Sequence, residues 1–365
     1  MKTLRRMIFR DVITTVSFVT VAFLALFFFF DLLDEMRYVG RSDSYGVGQA
    51  MLVVLLEVPN HLYELLPITV LIGTIYVMAR LAQSSEFTIM RTSGLGPWLA
   101  LRTLLTIGAG FVVVTFLLGD YVAPLSERAA TAAQAKFMNK LITTGSTGAW
   151  LKERQDGNTL AINVRSIRSD ELLGVRIFEF NKDGRMQRQI HADQASVERD
   201  DHWKLVNVRI SEFSYSGDQA VLQRSTQSEY LFKTELTIDM VAAAVHKPDR
   251  MPTIELFQFI QHLESNDQST QKYEIEFWRK VFYPLSCLVM VVLALPFAYL
   301  HFRSGGIAGY VFGGVMAGIS FFLLNNVFGY AGNLNNWQPM LTAAAPSFIY
   351  SLLSLAAFTW LVLRR

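Results

Sequence analysis

Residues 12–30 run for 19 positions without a charged side chain, and this run constrains the fold more than any other feature. A helix rises about 1.5 Å per residue, so the stretch reaches about 28 Å, the thickness of a bilayer's hydrocarbon core. Thirteen of its residues are Val, Ile, Leu or Phe; at about −0.3 to −0.6 kcal/mol each near a helix centre, they favour insertion by roughly 4–8 kcal/mol. Lys2, Arg5, Arg6 and Arg10 resemble the start of a secretory signal. The run is nevertheless longer than a signal core and ends in Phe-Phe-Asp rather than in small residues, so it reads as a membrane helix.

Five further apolar runs follow, at about 60–79, 98–119, 281–300, 307–328 and 341–363. Arg102 lies near the start of the third span, where its stem can reach the interface. Basic residues in short loops mark the cytoplasmic side. With the N-terminus inside, Arg80, Arg91, Arg102, Arg303, Arg364 and Arg365 join the N-terminal basic residues there, leaving Arg37 and Arg41 in the short outer loops. Both termini are expected in the cytoplasm, and the segment between spans three and four outside. The formal net charge of +2 argues against nucleic acid as a partner. The single cysteine, Cys287, excludes an intrachain disulfide.

Charged residues return between 120 and 280, where no stretch is apolar enough to span. Leu160, Ile162 and Val164 alternate with Ala161, Asn163 and Arg165; Val206, Val208 and Ile210 alternate with Leu205, Asn207 and Arg209. That period of two predicts strands with the named aliphatics inward. Turn signals at 156–158, 181–184, 200–201 and 216–218 separate such runs, a spacing that suits a sandwich, jelly roll or open barrel. Helices are expected at 126–140, 253–264 and 273–280, with Thr253 opening the second. The fold class is therefore a six-helix integral membrane protein with an inserted all-β domain.

No phosphate loop, H-E-x-x-H or G-x-S-x-G occurs, and the six histidines show no metal-ligand spacing. The residues thus support neither catalysis nor a metal or cofactor held by this chain. Glu57, His61 and Glu64 precede the second span and either line a cavity or sit at the outer interface. Residues 84–94 read as a short cytoplasmic helix that Ser84 or Ser85 can cap and Gly94 can end, before Pro97 opens the third span. Phe87, Met90 and Arg91 share one face, suited to a partner's groove or to the lipid surface. In the fifth span, Gly309 and Gly313, then Gly314 and Gly318, stand four apart and allow another helix to approach closely, in this chain or another. Arg37 and Arg41 can hold phosphates of an amphipathic substrate or pair with neighbouring acids.

Several groups of residues together resemble the lipopolysaccharide export permease family, its G-type more than its F-type members. They are Leu81-Ala-Gln-Ser-Ser-Glu86 with Met90, Ser93 and Gly94; Val122-Ala-Pro124; Trp150-Leu-Lys; Trp278-x-Lys280-x-x-x-Pro284-Leu285; Gly318-Ile-Ser-Phe321; Val327-Phe-Gly329; and Pro346-Ser347. The resemblance implies residues 1–120 as spans one to three with a coupling helix at about 84–94, 121–279 as a periplasmic domain with a jelly roll at about 145–245, and 280–365 as spans four to six. It implies a permease subunit of an ABC transporter in the bacterial inner membrane, paired with an F-type permease and a dimer of cytoplasmic ATPases that bind the ATP. A single-helix periplasmic jelly-roll protein of C type would be a further partner, and lipopolysaccharide the substrate. Ser85, Glu86, Phe87, Met90 and Arg91 would carry ATPase coupling. Gly309, Gly313, Gly314 and Gly318 would belong to a lateral gate, with Arg37, Arg41 and Glu64 as substrate contacts. A relay that couples the ATPase to a periplasmic partner without moving lipid is the alternative.

Overall fold

A computed structural model describes residues 2–40, 45–92, 94, 96–138, 148–155, 157–168, 171–199, 202–216, 219–234, 236–237, 240–241, 244, 248–299 and 307–360. The chain divides into two compact units, one of residues 1–39, 50–130 and 271–365, the other of residues 40–49 and 131–270.

The first unit is helical. Its elements are α1 (Lys2–Met36), α2 (Val47–Gln83) from residue 50 on, α3 (Glu86–Thr92), α4 (Pro97–Leu117), a π-type turn (Leu118–Val122) leading into α5 (Ala123–Met138), which belongs to this unit as far as residue 130, α7 (Gln271–Phe282), α8 (Ser286–Ala294) with a 3-10 turn (Leu295–Tyr299), α9 (Ile307–Leu334) and α10 (Pro339–Phe358). Among the described residues, five helices are individually long and apolar enough to cross a membrane. The pair α7–α8, bent by 47°, makes six when counted as one crossing. The expected straight fourth span is thus broken, because Pro284 lacks the N–H that would continue the helical ladder. The first two helices run past the bilayer-length stretches expected of them, so Asp31, Asp34 and Glu35 lie on the last turns of α1 rather than in a loop.

In the unit's core, α2 is the most enclosed helix, buried without interruption from Leu65 to Ile75. Small residues let neighbours approach it. A Cβ on Gly73 would lie 2.7 Å from Val16 Cγ2 and 2.9 Å from its Cα; one on Gly314 would meet Ile75, and one on Gly318 would meet Ile68, each at 2.7 Å. The buried stripe of α1, Ile8, Val12, Val16 and Thr20, advances by fours and faces this contact. Polar ties reinforce it: Asp11 pairs with Arg80, Thr20 Oγ1 donates to Thr69 Oγ1 at 2.9 Å, and His61 Nε2 lies 2.7 Å from Asp31 Oδ2.

The second unit holds six antiparallel strands in one sheet of consecutive order: β1 (Ala149–Gln155), β2 (Asn158–Arg168), β3 (Glu171–Phe180), β4 (Met186–Arg199), β5 (His202–Ser216) and β6 (Gln219–Lys233). Leu160, Ile162 and Val164 face the core as expected. In β5 the expected phase is wrong at its first residue, because Leu205 is buried in place of Val206, whereas Val208 and Ile210 are buried as expected. The reason is Asn207, whose φ of 54° breaks the alternation. The ladder skips one residue on each strand along one line: Gly174, at φ 64°, and Asp193 between the pairs Leu173–Gln194 and Val175–Ala192, and Asp193 and Asn207 between Gln194–Val206 and Ala192–Val208. The inward phase shifts on all three strands there: from Leu172 to Val175, from Ala192 to Ala195 and from Leu205 to Val208. A transverse crease therefore crosses the sheet.

Helix α6 (Thr253–Ser265) starts where expected and buries Leu256, Phe259, Ile260 and Leu263, one apolar face. At its end Asn266 Oδ1 accepts the backbone N–H of Arg154 at 2.8 Å, and Asp267 pairs with the Arg154 guanidinium. The free edge of β1 is covered at that point. Trp203, fully buried, donates its indole N–H to the Leu236 carbonyl at 2.8 Å, which ties the segment after β6 to the core.

Gly318→Leu would drive a side chain into Ile68 on α2, whereas Gly313→Leu meets open space. Overpacking costs about 1–3 kcal/mol. Thermal unfolding of the detergent-solubilised protein should show a lowered midpoint for Gly318→Leu and a near-parental one for Gly313→Leu.

Candidate functional site

The expected cytoplasmic helix exists as α3, one residue past Ser85. Ser85 adopts φ 61° and its carbonyl accepts the Ile89 N–H at 3.1 Å, so it opens the helix through its backbone. The Ser84 hydroxyl instead turns back to the Leu81 carbonyl at 3.4 Å. Gly94, at φ 100°, donates its N–H to Arg91 O and ends the turn, and Pro97 starts α4.

Phe87, Met90 and Arg91 share a face as expected, and two of the three turn into the chain's own core while Arg91 stays exposed. Phe87 and Met90 are buried in the helical core. The Phe87 ring meets the Tyr299 ring edge-on at 5.0 Å, and the Arg91 guanidinium lies 5.0 Å from the same ring. Phe87 and Met90 are therefore anchors, and Tyr299, which the sequence reading did not single out, is their seat. Glu86, Thr88, Ile89 and Thr92 remain exposed, together with Ser85 and the outer side of Arg91. Ile89 is 63% exposed, the one large apolar side chain α3 offers outward. A helix of seven residues cannot hold its shape alone in water. The two buried anchors and the fixed turns at both ends hold it instead.

The four glycines of α9 separate into two pairs. Gly314 and Gly318 pack on α2 within the chain, and Gly309 and Gly313 face open space. Their open side continues through Phe312, Met316, Leu323, Val327 and Tyr330, all exposed. Of the substrate-contact candidates, Arg37 pairs with Asp34 at 3.2 Å on the surface, a contact worth about 0–1 kcal/mol. Arg41 lies outside the described residues. The Glu64 side chain is exposed, while its carbonyl accepts the Tyr283 hydroxyl.

A second polar cluster was not foreseen. Lys280 is 8% exposed and donates from Nζ to the Gly119 carbonyl at 3.1 Å, in the π-type turn that frees that oxygen from the helical ladder. Tyr63 lies flat against Gly119, where a Cβ would come within 2.2 Å of the ring, and Tyr63 and Tyr283 stand 5.2 Å apart. Beside them Arg279 Nη1 donates to Glu276 Oε1 at 2.9 Å. The sequence signal was a basic pair at the edge of an apolar run, which reads equally well as an interfacial boundary.

Tyr299→Phe keeps the ring beneath Phe87 and Arg91, and Tyr299→Ala removes it. Limited proteolysis should cut within residues 84–96 several-fold faster in Tyr299→Ala than in Tyr299→Phe, with the rest of the digestion pattern unchanged.

Comparison with known proteins gives a match over residues 6–362 to the family described as lipopolysaccharide export system permease LptF/LptG. The chain is 28% identical, over 99% of its length and 98% of the relative's, to the lipopolysaccharide export system permease protein LptG of Escherichia coli (strain K12). It is 25% identical to the LptG protein of Haemophilus influenzae (strain ATCC 51907 / DSM 11121 / KW20 / Rd), over 100% of this chain and 99% of the relative.

Proposed function

Because the chain belongs to the lipopolysaccharide export system permease family LptF/LptG, a family of permease components rather than enzymes, we propose that it forms half of an ATP-driven lipid cavity in the bacterial inner membrane. In this reading an F-type permease supplies the other half, and two cytoplasmic ATPase subunits bind and hydrolyse the ATP. Lipopolysaccharide enters from the outer leaflet and leaves toward a periplasmic jelly-roll bridge that includes a C-type, single-helix protein. Both termini lie in the cytoplasm and the β unit in the periplasm.

The observation that carries the reading is α3. It is fixed to its own core by Phe87 and Met90 while presenting Glu86, Thr88 and Ile89 outward. A short helix held rigidly can transmit a push, because its anchors cannot yield without disturbing the packed core. Glu86 opens α3, where a carboxylate is favoured by the helix dipole and stays free to meet a cationic group of the ATPase. The open glycine-lined side of α9 suits close approach of the partner permease.

Glu86→Lys reverses the charge at the docking surface and leaves the buried anchors intact. The purified complex should assemble in the membrane at parental levels, with ATP hydrolysis or its coupling to lipopolysaccharide release reduced about tenfold, the scale of one lost charged contact. Full transport by that variant would overturn the docking role of α3.

A further inference from the structure

The outer face of the sheet carries two arginines with a histidine between them, and among the described residues no carboxylate pairs with either arginine. Register places Arg176 on β3 directly opposite His191 on β4, and His191 directly opposite Arg209 on β5. Each alternates with a buried neighbour, Val175 and Ile177, Ile190 and Ala192, Val208 and Ile210, so all three point away from the core. Opposed residues in an antiparallel pair stand about 5 Å apart, which puts the two guanidinium stems within roughly 10 Å of each other. Arg165 stands beside the row, between the paired residues Val164–Val175 and Ser166–Leu173, with its side chain lying over Gly174 at the crease.

Arg176 and Arg209 stand on either side of His191, and positive charges this close on one sheet face are destabilising unless something compensates them. Elsewhere in this unit the compensation is present: Arg188 holds Glu179 at 2.8 Å, and Arg154 pairs with Asp267. Among the described residues neither Arg176 nor Arg209 has a carboxylate within ion-pairing distance; Arg209 instead reaches His191 Nδ1 at 3.1 Å. Partial burial, then Arg209, Arg176 and Arg165, hold the His191 pKa below its ordinary value against the opposing pull of Asp193. On the same face, Trp150, 53% exposed, stacks on Phe178 with the ring planes 19° apart. Trp150 is paired with Asn163, and Asn163 with Arg176, so the aromatic plate adjoins the cationic row.

We propose that this face binds the phosphorylated saccharide headgroup of lipopolysaccharide. The argument is charge and shape complementarity. Two guanidinium forks at this separation can grip one phosphate group through charge-assisted hydrogen bonds, and the exposed Trp150 ring, backed by the half-buried Phe178, suits the apolar face of a sugar ring. A compact row flanked by aromatics fits a sugar phosphate better than an extended acidic peptide, which would leave the stacked rings unused. The proposal rests on the transport reading, since that reading supplies the lipid.

The test uses the full complex in detergent, titrated with intact and with phosphatase-treated lipopolysaccharide. The parental protein should bind the intact form about tenfold more tightly than the treated form, the scale of a charged hydrogen-bonded contact. Arg176→Gln/Arg209→Gln should lose that advantage and bind the treated form as before, while Arg176→Lys/Arg209→Lys, keeping charge without the fork, should fall between. Equal binding of intact lipopolysaccharide by parental and glutamine variants, or an equal loss toward both forms, would overturn the site. A photocrosslinker at Thr226, next in the row after Arg209, should capture lipid; capture of a protein subunit alone would reassign the face to an acidic partner. If the parental complex binds neither form, the transport reading itself fails, whereas equal binding of both forms removes only the headgroup site.

Discussion

The helical unit depends on how closely other helices can approach α2. In a bilayer, lipid tails are as apolar as leucine side chains, so helices gain little from hiding aliphatics from their surroundings and depend on close packing and a few polar contacts. Gly73 on α2, with Gly314 and Gly318 on α9, provides that closeness on two sides. The Thr20–Thr69 hydrogen bond and the Asp11–Arg80 pair then fix α1 along α2. Because α2 is held in this way, the chain leaving its C-terminal end emerges at a defined place, and α3 inherits that placement through Ser84 and Ser85.

The fourth crossing completes the arrangement. The 3-10 turn at one end of α8 supplies Tyr299, against which Phe87 and Arg91 rest. Beyond its other end, on α7, Lys280 reaches the π-type turn after α4. The break at Pro284 lies between these two attachments, and Thr115 on α4 meets Cys287 at 3.3 Å just past it. A bent crossing held on both sides of its bend is a packed, continuous body, and such bodies respond to displacement by rearranging as a unit rather than by local deformation. The sulfur of Cys287 is buried within it, which makes this cysteine a packing residue rather than a reactive one.

The crossings, the inserted strands and α3 were legible in the sequence because each is set by a short-range pattern: an uncharged apolar run, a period of two, or a cap and a breaker. Long-range contacts were not legible. The face shared by Phe87, Met90 and Arg91 follows from helical spacing, but whether it meets a partner or the chain's own Tyr299 is decided by a residue more than 200 positions away. Likewise Gly309 and Gly314 look equivalent in sequence, and only the course of α2 distinguishes the open one from the packed one. The family resemblance covered nearly the whole chain and matched the family found by comparison. The Arg37–Asp34 pair, by contrast, is one of the two outcomes that the neighbouring acids offered from the sequence.

The β unit shows why position in a strand does not fix which side a residue faces. Alternation alone would carry Leu205 and Arg209 to one face of β5, since they are four apart. The positive φ at Asn207 reverses the phase between them, so Leu205 turns inward and Arg209 outward. The same reversal on β3, at Gly174, gives Leu172 and Arg176 opposite directions, and β4 shifts phase opposite them, at Asp193. Without the crease, either the aliphatics beyond it or the cations before it would sit on the wrong side of the sheet. Two residues able to adopt left-handed backbone, placed on one transverse line, thus keep buried aliphatics and outward arginines on opposite faces of the same strands.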